Sequence, residues 1–531
     1  MTRTRLSAAW LAQARPAAQL DSATKPSPAS EGRSNKARLP GYEPSTHGVG
    51  IVHLGVGNFH KAHQAIYTDD VLARYGGDWR ILGVSLRGED AANALNPQDG
   101  LYTLLVRDPG GTQARVVGSI AGVVAASRDP ALLWTALTNE GTRIVTLTVT
   151  EKAYGIDRAT GRVQQEHPAI AHDLLHPGRP AGAVGILVWG LLRRRELGIA
   201  PFTVLCCDNL PENGRLLQAG VCDMADRIEP GMGKWISAHV AFPSSMVDRI
   251  TPTATDKTLE DAAQALGCED YAAVETEPFT MWVIEDHFPS GRPAWENVGA
   301  LMVDDVTPYE HMKLRMLNGA HSLLAYAGFV AGHIYVRDAM QDATVARRVR
   351  EYLQHASTTL QALPGVDFDD YAAALCQRFA NTAIAHKTYQ IAMDGTEKLP
   401  QRILSAAQEC LTSQRDTHVF AFATAAWMRY CLGVTDAGTF YDLRDPRAHE
   451  ITAAVHNALR KAGSSVESDK TRKILGSNLQ DVHALSAALM ALPGLFSPAL
   501  QHSSDWGDQI DRYLQIMLSQ GMKAALQVGH F

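Results

Sequence analysis

The chain has 531 residues, 46% of them hydrophobic, with a net charge of −7 and a pI near 6.3. That is the composition of an ordinary globular protein large enough for two to four domains. Its acidic balance argues against a nucleic-acid partner, and its longest apolar stretch, Gly182 to Leu192, is too short for a membrane span and runs into three arginines.

Residues 1–44 stand apart. They carry Pro16, Pro26, Pro28, Pro40 and Pro44, and seven basic against three acidic residues. Such a segment buries little, so it is expected to be a disordered extension; Arg3, Arg5, Trp10, Leu11 and Arg15 would also suit a transit-peptide helix. From about residue 45 to 300 the texture is α/β. Strand-like runs at Val49–Leu54, Arg80–Leu86, Arg143–Val149 and Phe202–Cys206 alternate with helical stretches such as His63–Tyr75, Asp129–Thr138 and Ala183–Leu197. This alternation predicts a Rossmann-like, doubly wound parallel sheet. Residues 301–531 read as a mainly helical domain, with helices over Tyr309–Phe329, Asp338–Leu360, Tyr371–Phe379, Phe420–Leu432 and most of Asp481–Leu526.

The first strand runs into Gly55-Val-Gly57-Asn58-Phe59-His60, the first two glycines of a dinucleotide fingerprint with His60 in place of the third. Gly55 would make the tight turn, Gly57 would let a pyrophosphate approach the backbone, and the next helix would offer its N–H groups. Past the second strand, Glu89 and Asp90 stand where a ribose 2′-hydroxyl is held, which favours NAD over NADP. Arg87 beside them could instead accept a 2′-phosphate, and both acids would equally suit a first helical turn.

Thr307-Pro308-Tyr309-Glu310 predicts a helix start with Thr307 as N-cap and Glu310 closing a capping box. At about 100° per residue, Lys313 at 0°, Glu310 near 60°, His321 near 80° and Asn318 near 140° share one broad face. Oxidation of a secondary alcohol needs a base and donors to the developing alkoxide. A desolvated Lys313 suits the first role, Asn318 and His321 the second. Spacing alone equally allows Lys313 and Arg315 to face solvent, with Asn318 a helix irregularity beside Gly319. The 20 histidines fall into no zinc-ligand spacing, so no metal is expected and the base must be organic. Seven cysteines without a C-x-x-C pair fit reduced thiols in a cytoplasm.

These stretches carry a resemblance. Ile51–Gln64, Thr146–Tyr154 (TLTVTEKAY), Cys207–Gly214 (CDNLPENG), Met246–Pro252 (MVDRITP) and Lys313–His321 (KLRMLNGAH) resemble the mannitol dehydrogenase family of long-chain polyol dehydrogenases, which includes the fructuronate (mannonate) reductases. The resemblance implies a metal-independent, NAD-dependent enzyme acting on a sugar polyol or ketose, with Lys313 as general base and Asn209 and Asn318 polarising the reacting oxygen. It also implies substrate contacts from His321 and Asp248 and a proton path through Glu151, with Glu310 a further member. Mannitol-oxidising members use an arginine where this chain has Gln390, whereas the later lysine is retained as Lys398. His386–Gly395 followed by Lys398-Leu-Pro-Gln-Arg402 resembles the fructuronate reductases, and Arg402 or Lys387 could hold a carboxylate. A mannitol 2-dehydrogenase activity is the leading expectation and a fructuronate reductase the alternative. A silent nicotinamide-binding sensor is the third reading, disfavoured because a sensor has no use for a base.

Overall fold

The computed structural model describes residues 4–15, 37–150, 153–461 and 478–529. The chain divides into two units, Met1–Thr307 and Pro308–Phe531. Among the described residues no helix is long and apolar enough to cross a membrane.

The first unit contains strands β1 (Val49–Leu54), β2 (Arg80–Ser85), β3 (Tyr102–Asp108), β4 (Gly111–Val117), β5 (Ile120–Ala125), β6 (Ile144–Leu147), β7 (Thr203–Cys206), β8 (Ser245–Asp248), β9 (Val274–Thr276), β10 (Met281–Glu285) and β11 (Leu301–Val303). The order β5-β2-β1-β6-β7 makes an all-parallel five-stranded sheet, with Ile51 level with Ile81 on one side and Ile144 on the other. Strand alternation sends Val52 and Leu54 to one face, where they pack with Ile186, Leu187 and Leu191 of helix Ala183–Glu196. Ile51 goes to the opposite face with Ala65 and Tyr67 of helix Gln64–Tyr75. Both faces are therefore dry, as parallel sheets require, and the Rossmann-like expectation holds.

Two three-stranded sheets were not anticipated. One has the order β4-β3-β9 and the other β11-β10-β8. Most of their strands are short or half-exposed, and the apolar runs in β3 (Leu104–Val106) and β10 (Met281–Ile284) are too brief to distinguish a strand from a buried helical turn.

The amino-terminal expectation needs correction. Residues 4–15 form an ordered segment in which Ser7 caps helix Ala8–Ala14 by accepting from the Trp10 N–H. Leu6 and Leu11 are buried with Leu101, Val116 and Cys268. Burial of two leucines stabilises by roughly 1.5–3 kcal/mol each, enough to order a short, polar-looking segment. Arg38 pairs its backbone with Ala114 and Val116, and Tyr42 donates to Asp69 at 2.7 Å.

The second unit is helical, as expected. The long pattern over Asp338–Leu360 is broken at Asp342, which caps helix Ala343–Ser357 by accepting from Thr344 N–H. Helix His418–Tyr430 is buried along its whole length. The amphipathic helix Ser504–Ser519 lies against it, with Tyr513 edge-on to Phe422 at 5.2 Å. A last short helix, Met522–Gln527, is tied in by its first N–H, which donates to Asp436 at 2.6 Å.

Candidate active site

In the first unit the site is built where the sheet order reverses, between β1 and β6, the place where such folds bind ligands. Gly55 has φ +93°, and a Cβ there would lie 2.3 Å from the Thr148 carbonyl oxygen. Only glycine fits, because the turn demands a left-handed backbone in contact with the next loop. Gly57 is exposed, and a Cβ on it would meet nothing closer than 4.0 Å; its outer side is open to an approaching group. Asn58 and Phe59 begin a helix of only five residues, Asn58–Ala62, which breaks at His63 before Gln64–Tyr75. Gln64–Tyr75 is the helix expected over His63–Tyr75, the short helix before it was not anticipated, and Phe59 stacks on His63 at 5.0 Å.

His60, in the position of the missing glycine, is fully buried and stacks on His53 with centroids 3.4 Å apart and planes within 12°. His53 reaches Thr146 Oγ1 (2.7 Å) and Thr148 Oγ1 (2.9 Å), and Thr148 donates to the Gly55 carbonyl at 2.9 Å. The histidines thus brace the turn from beneath. Burial pushes the His53 pKa down to about 3, and His60 also falls well below the ordinary histidine value. The folded chain therefore holds fewer protons on these rings than the unfolded chain once pH drops below about 6.5. Stability present at neutral pH should be lost as pH falls from about 6.5 toward 3. Urea unfolding followed by tryptophan fluorescence should show this fall already above pH 4.5, before carboxylates titrate. His53→Gln should flatten it in that window; an unchanged slope would remove His53 from the account.

Glu89 and Asp90 lie at the start of helix Asp90–Leu95, and the Glu89 carboxylate is paired with Arg128 at 2.8 Å. That partner, in the turn after β5, was not anticipated. Beyond β6 Thr150 has φ +75°, a strained conformation for a β-branched residue. It is fixed by Asp208, whose carboxylate accepts from the Val149 and Thr150 N–H groups and from the Tyr154 hydroxyl at 2.6 Å. Asn209 follows Asp208 on the same loop and is exposed. Asp248 ends β8 and is buried. Its neighbour Arg249 donates to the carbonyls of Ala62 and Glu277. Glu151 lies outside the described residues.

In the second unit the chemistry-bearing helix departs from the uniform 100° reading. Lys313–Asn318 is a π-helical turn between α-helical Thr307–Met312 and Gly319–Val330, and the Gly319 N–H returns to the Leu314 carbonyl. Such wide turns are common at functional sites. The extra residue per turn brings Asn318 round toward the face of Lys313, so the 140° separation does not apply. The solvent-facing alternative also fails. Lys313, Arg315, Asn318, His321 and Glu310 are all less than a tenth exposed, and Arg315 is committed to the Thr359 carbonyl (2.7 Å) and Glu409 (2.8 Å). At the helix start the Asp305 carboxylate accepts the Thr307 N–H at 2.9 Å.

Asn318 Nδ2 and His321 Nε2 are buried without a hydrogen-bond partner among the described residues. A buried amide donor left unpaired costs about 1–3 kcal/mol, so a site that keeps one has a use for it. His321 stacks on Phe379 (5.1 Å) and meets His386 edge-on (5.0 Å). Burial first, then the nearby His386, Arg402, Arg378 and Lys398, hold it neutral with its pKa well below the usual value. Arg402 stands on a second π turn, Pro400–Leu404, and donates to Ser322 Oγ at 3.1 Å. Lys398 donates to the Met393 and Ile391 carbonyls. Sequence reading missed Arg378 and His386, which lie on separate elements joined only by folding. Gln390 and Lys387 are exposed.

A parallel sheet wound about a Gly-x-Gly turn, and a helical unit with a buried lysine and amide on one widened turn and a buried imidazole in the helix that follows, have the make-up of an oxidoreductase. The family models for the mannitol dehydrogenase Rossmann domain and the mannitol dehydrogenase C-terminal domain match residues 49–297 and 305–491. The chain belongs to the mannitol dehydrogenase family. It is 46% identical over 439 residues to the oxidoreductase YeiQ of Escherichia coli, covering 81% of this chain and 88% of that one. It is 38% identical over 478 residues to the D-mannonate oxidoreductase of the same organism, with 89% and 94% covered. Among solved structures, the Pseudomonas fluorescens mannitol 2-dehydrogenase ternary complex with NAD and D-mannitol matches with a TM-score of 0.78, 34% identity and 99% of each chain covered.

Proposed function

We propose that this protein is an NAD(H)-dependent oxidoreductase that interconverts a secondary alcohol of a sugar polyol and the corresponding ketone, without a catalytic metal. The observation that carries the reading is the widened turn that begins at a buried Lys313 and ends at Asn318, with His321 in the helix just beyond; Asn318 Nδ2 and His321 Nε2 are buried and lack partners among the described residues. The open outer side of Gly57 and the left-handed Gly55 fit a dinucleotide, with Asn58 and Phe59 at the following helix start and Glu89 and Asp90 toward the ribose. When bound, the nicotinamide accepts or gives the hydride. Lys313 takes the hydroxyl proton during oxidation and returns it during reduction. Asn318 donates to the oxygen as negative charge develops on it. Neutral His321 meets a neighbouring hydroxyl. From the resemblance, Asn209 polarises the same oxygen, Asp248 and Lys398 hold substrate hydroxyls, and Glu151 and Glu310 pass the proton on.

A second reading is reduction of a sugar acid such as fructuronate. It is favoured by the basic groups around His321, namely Arg378, His386, Lys398 and Arg402. A buried carboxylate needs such partners to offset its lost hydration. NADH absorbance across mannitol, sorbitol, arabinitol, mannonate, fructose and fructuronate separates the two. We expect the highest rate on a hexitol or pentitol, with Arg402→Gln having a modest effect there. Fructuronate reduced far faster than fructose, with that rate collapsing in Arg402→Gln, would replace the polyol reading. No turnover on any of the six would refute both.

A further inference from the structure

The second unit holds another group of side chains that plays no part in the proposed reaction. His355 lies in the last turn of helix Ala343–Ser357, Asp416 precedes helix His418–Tyr430, and His418 is that helix's first residue. Asp416 Oδ2 is 2.6 Å from His418 Nδ1 and 3.9 Å from His355 Nε2. One ligand atom from each residue lies within 4.8 Å of the others. The two imidazoles are nearly perpendicular, at 88° with centroids 4.6 Å apart. They approach Asp416 from different directions rather than stacking on each other.

The remote nitrogen of each ring is engaged by the same residue. His355 Nδ1 donates to the Glu351 carbonyl oxygen at 3.0 Å, and His418 Nε2 donates to Glu351 Oε1 at 3.3 Å. In the ion-free protein His418 Nδ1 donates to Asp416 Oδ2 at 2.6 Å; an ion would displace that proton, and with each remote nitrogen protonated the lone pairs of His355 Nε2 and His418 Nδ1 would then face it. Metal-ligating histidines are oriented in this way, by a carboxylate or carbonyl behind the ring. Glu351 is itself held by Arg348 at 2.8 Å. Ligand bonds of about 2.0–2.1 Å to a tetrahedral ion set donor atoms roughly 3.3 Å apart. The 2.6 and 3.9 Å separations lie on either side of that value. Asp416 has its side chain 54% exposed, and its Oδ1 accepts the His418 backbone N–H at 2.9 Å, which leaves Oδ2 toward the two rings, while His418 is 4% exposed and anchors the inner side. The outer side opens to water, which can complete the coordination.

We propose that His355, Asp416 and His418 bind a single divalent transition-metal ion, with Zn²⁺ the best match, and so fasten the start of helix His418–Tyr430 to helix Ala343–Ser357. Two imidazoles and one carboxylate suit Zn²⁺ or Co²⁺ rather than Mg²⁺ or Ca²⁺, which prefer all-oxygen shells. The role is structural. Tyr352, one turn before His355, donates to the Arg402 carbonyl at 3.1 Å, so the fastened helix is one that supports the π turn bearing Arg402. Asp416 and His418 are only two residues apart, but His355 stands 61 positions before Asp416 on another helix, which is why no local spacing announces the set.

The test uses the full-length, untagged chain stripped with chelator. Co²⁺ titration should develop visible d–d absorption saturating at one equivalent, and Zn²⁺ should abolish it. Zn²⁺ affinity, measured by competition with a chromophoric chelator, should fall about tenfold or more in both His355→Ala and Asp416→Asn. Zn²⁺ should raise the melting temperature of the wild type but of neither variant. Wild type that takes up no stoichiometric ion would leave His418 simply hydrogen-bonded between Asp416 and Glu351, and the proposal falls. Either variant binding within about tenfold of wild type would put the ion elsewhere, on one of the cysteines for instance, and the proposal equally falls.

Discussion

Lys313→Ala should reduce turnover by about 10²–10⁴-fold, the range typical of a positioned acid–base group, while NAD affinity stays near that of the wild type. Lys313 sits on the π turn of the second unit, whereas the glycine turn that suits a dinucleotide lies in the first. The loss should therefore appear in kcat and not in cofactor titration by fluorescence. A small external amine should restore part of the rate, because the cavity left by the side chain would admit a replacement base. More than about a tenth of wild-type turnover in the variant would exclude Lys313 as the base.

The second large effect is expected at a residue without a side chain. A Cβ on Gly319 would fall 2.1 Å from the Tyr352 hydroxyl and 2.8 Å from the Arg402 carbonyl. In Gly319→Ala the two π turns must therefore move apart. The stability cost should be about 1–3 kcal/mol, as for other overpacked cores. Asn318 is the adjacent residue, and displacing a positioning group by about 1 Å can cost about 100-fold in rate. We expect kcat to fall by about that factor at temperatures where the variant is folded. Adding Tyr352→Phe removes the closer of the two clashes and should recover part of both losses. A Gly319→Ala protein with wild-type kcat and melting temperature would mean the turns are not locked together.

Four of the five strands of the parallel sheet were legible because they are short runs rich in β-branched residues, whereas β5, with Ala121 and Gly122 inside it, was not; the Gly55-x-Gly57 pattern was legible because a tight turn after a strand leaves few residue choices. The helix that carries the candidate residues was legible as a helix but not in its shape. Lys313, Asn318 and His321 are polar where a structural helix would be apolar, yet nothing in Leu314–Leu317 announces a π turn. That turn is fixed by Gly319 and Arg402 packing across it, a contact between residues 83 positions apart. Arg378, His386 and Arg128 were invisible for the same reason. Residues 4–15 were misread because two buried leucines do not alter the composition of a proline-rich tail.

The borders of a family likeness and the borders of a stable body need not coincide. The match spans residues 49–491, yet Leu6 and Leu11 fill a cluster on one side of it, and Tyr513 and Trp506 are buried on the other. A recombinant fragment trimmed to the matched stretch would expose Leu101 and Val116 at one end. At the other it would strip the outer layer from helix His418–Tyr430 and leave Arg348 without the Leu526–Val528 stretch, where Val528 accepts its guanidinium. Expression of this enzyme for crystals or assays should keep both flanks.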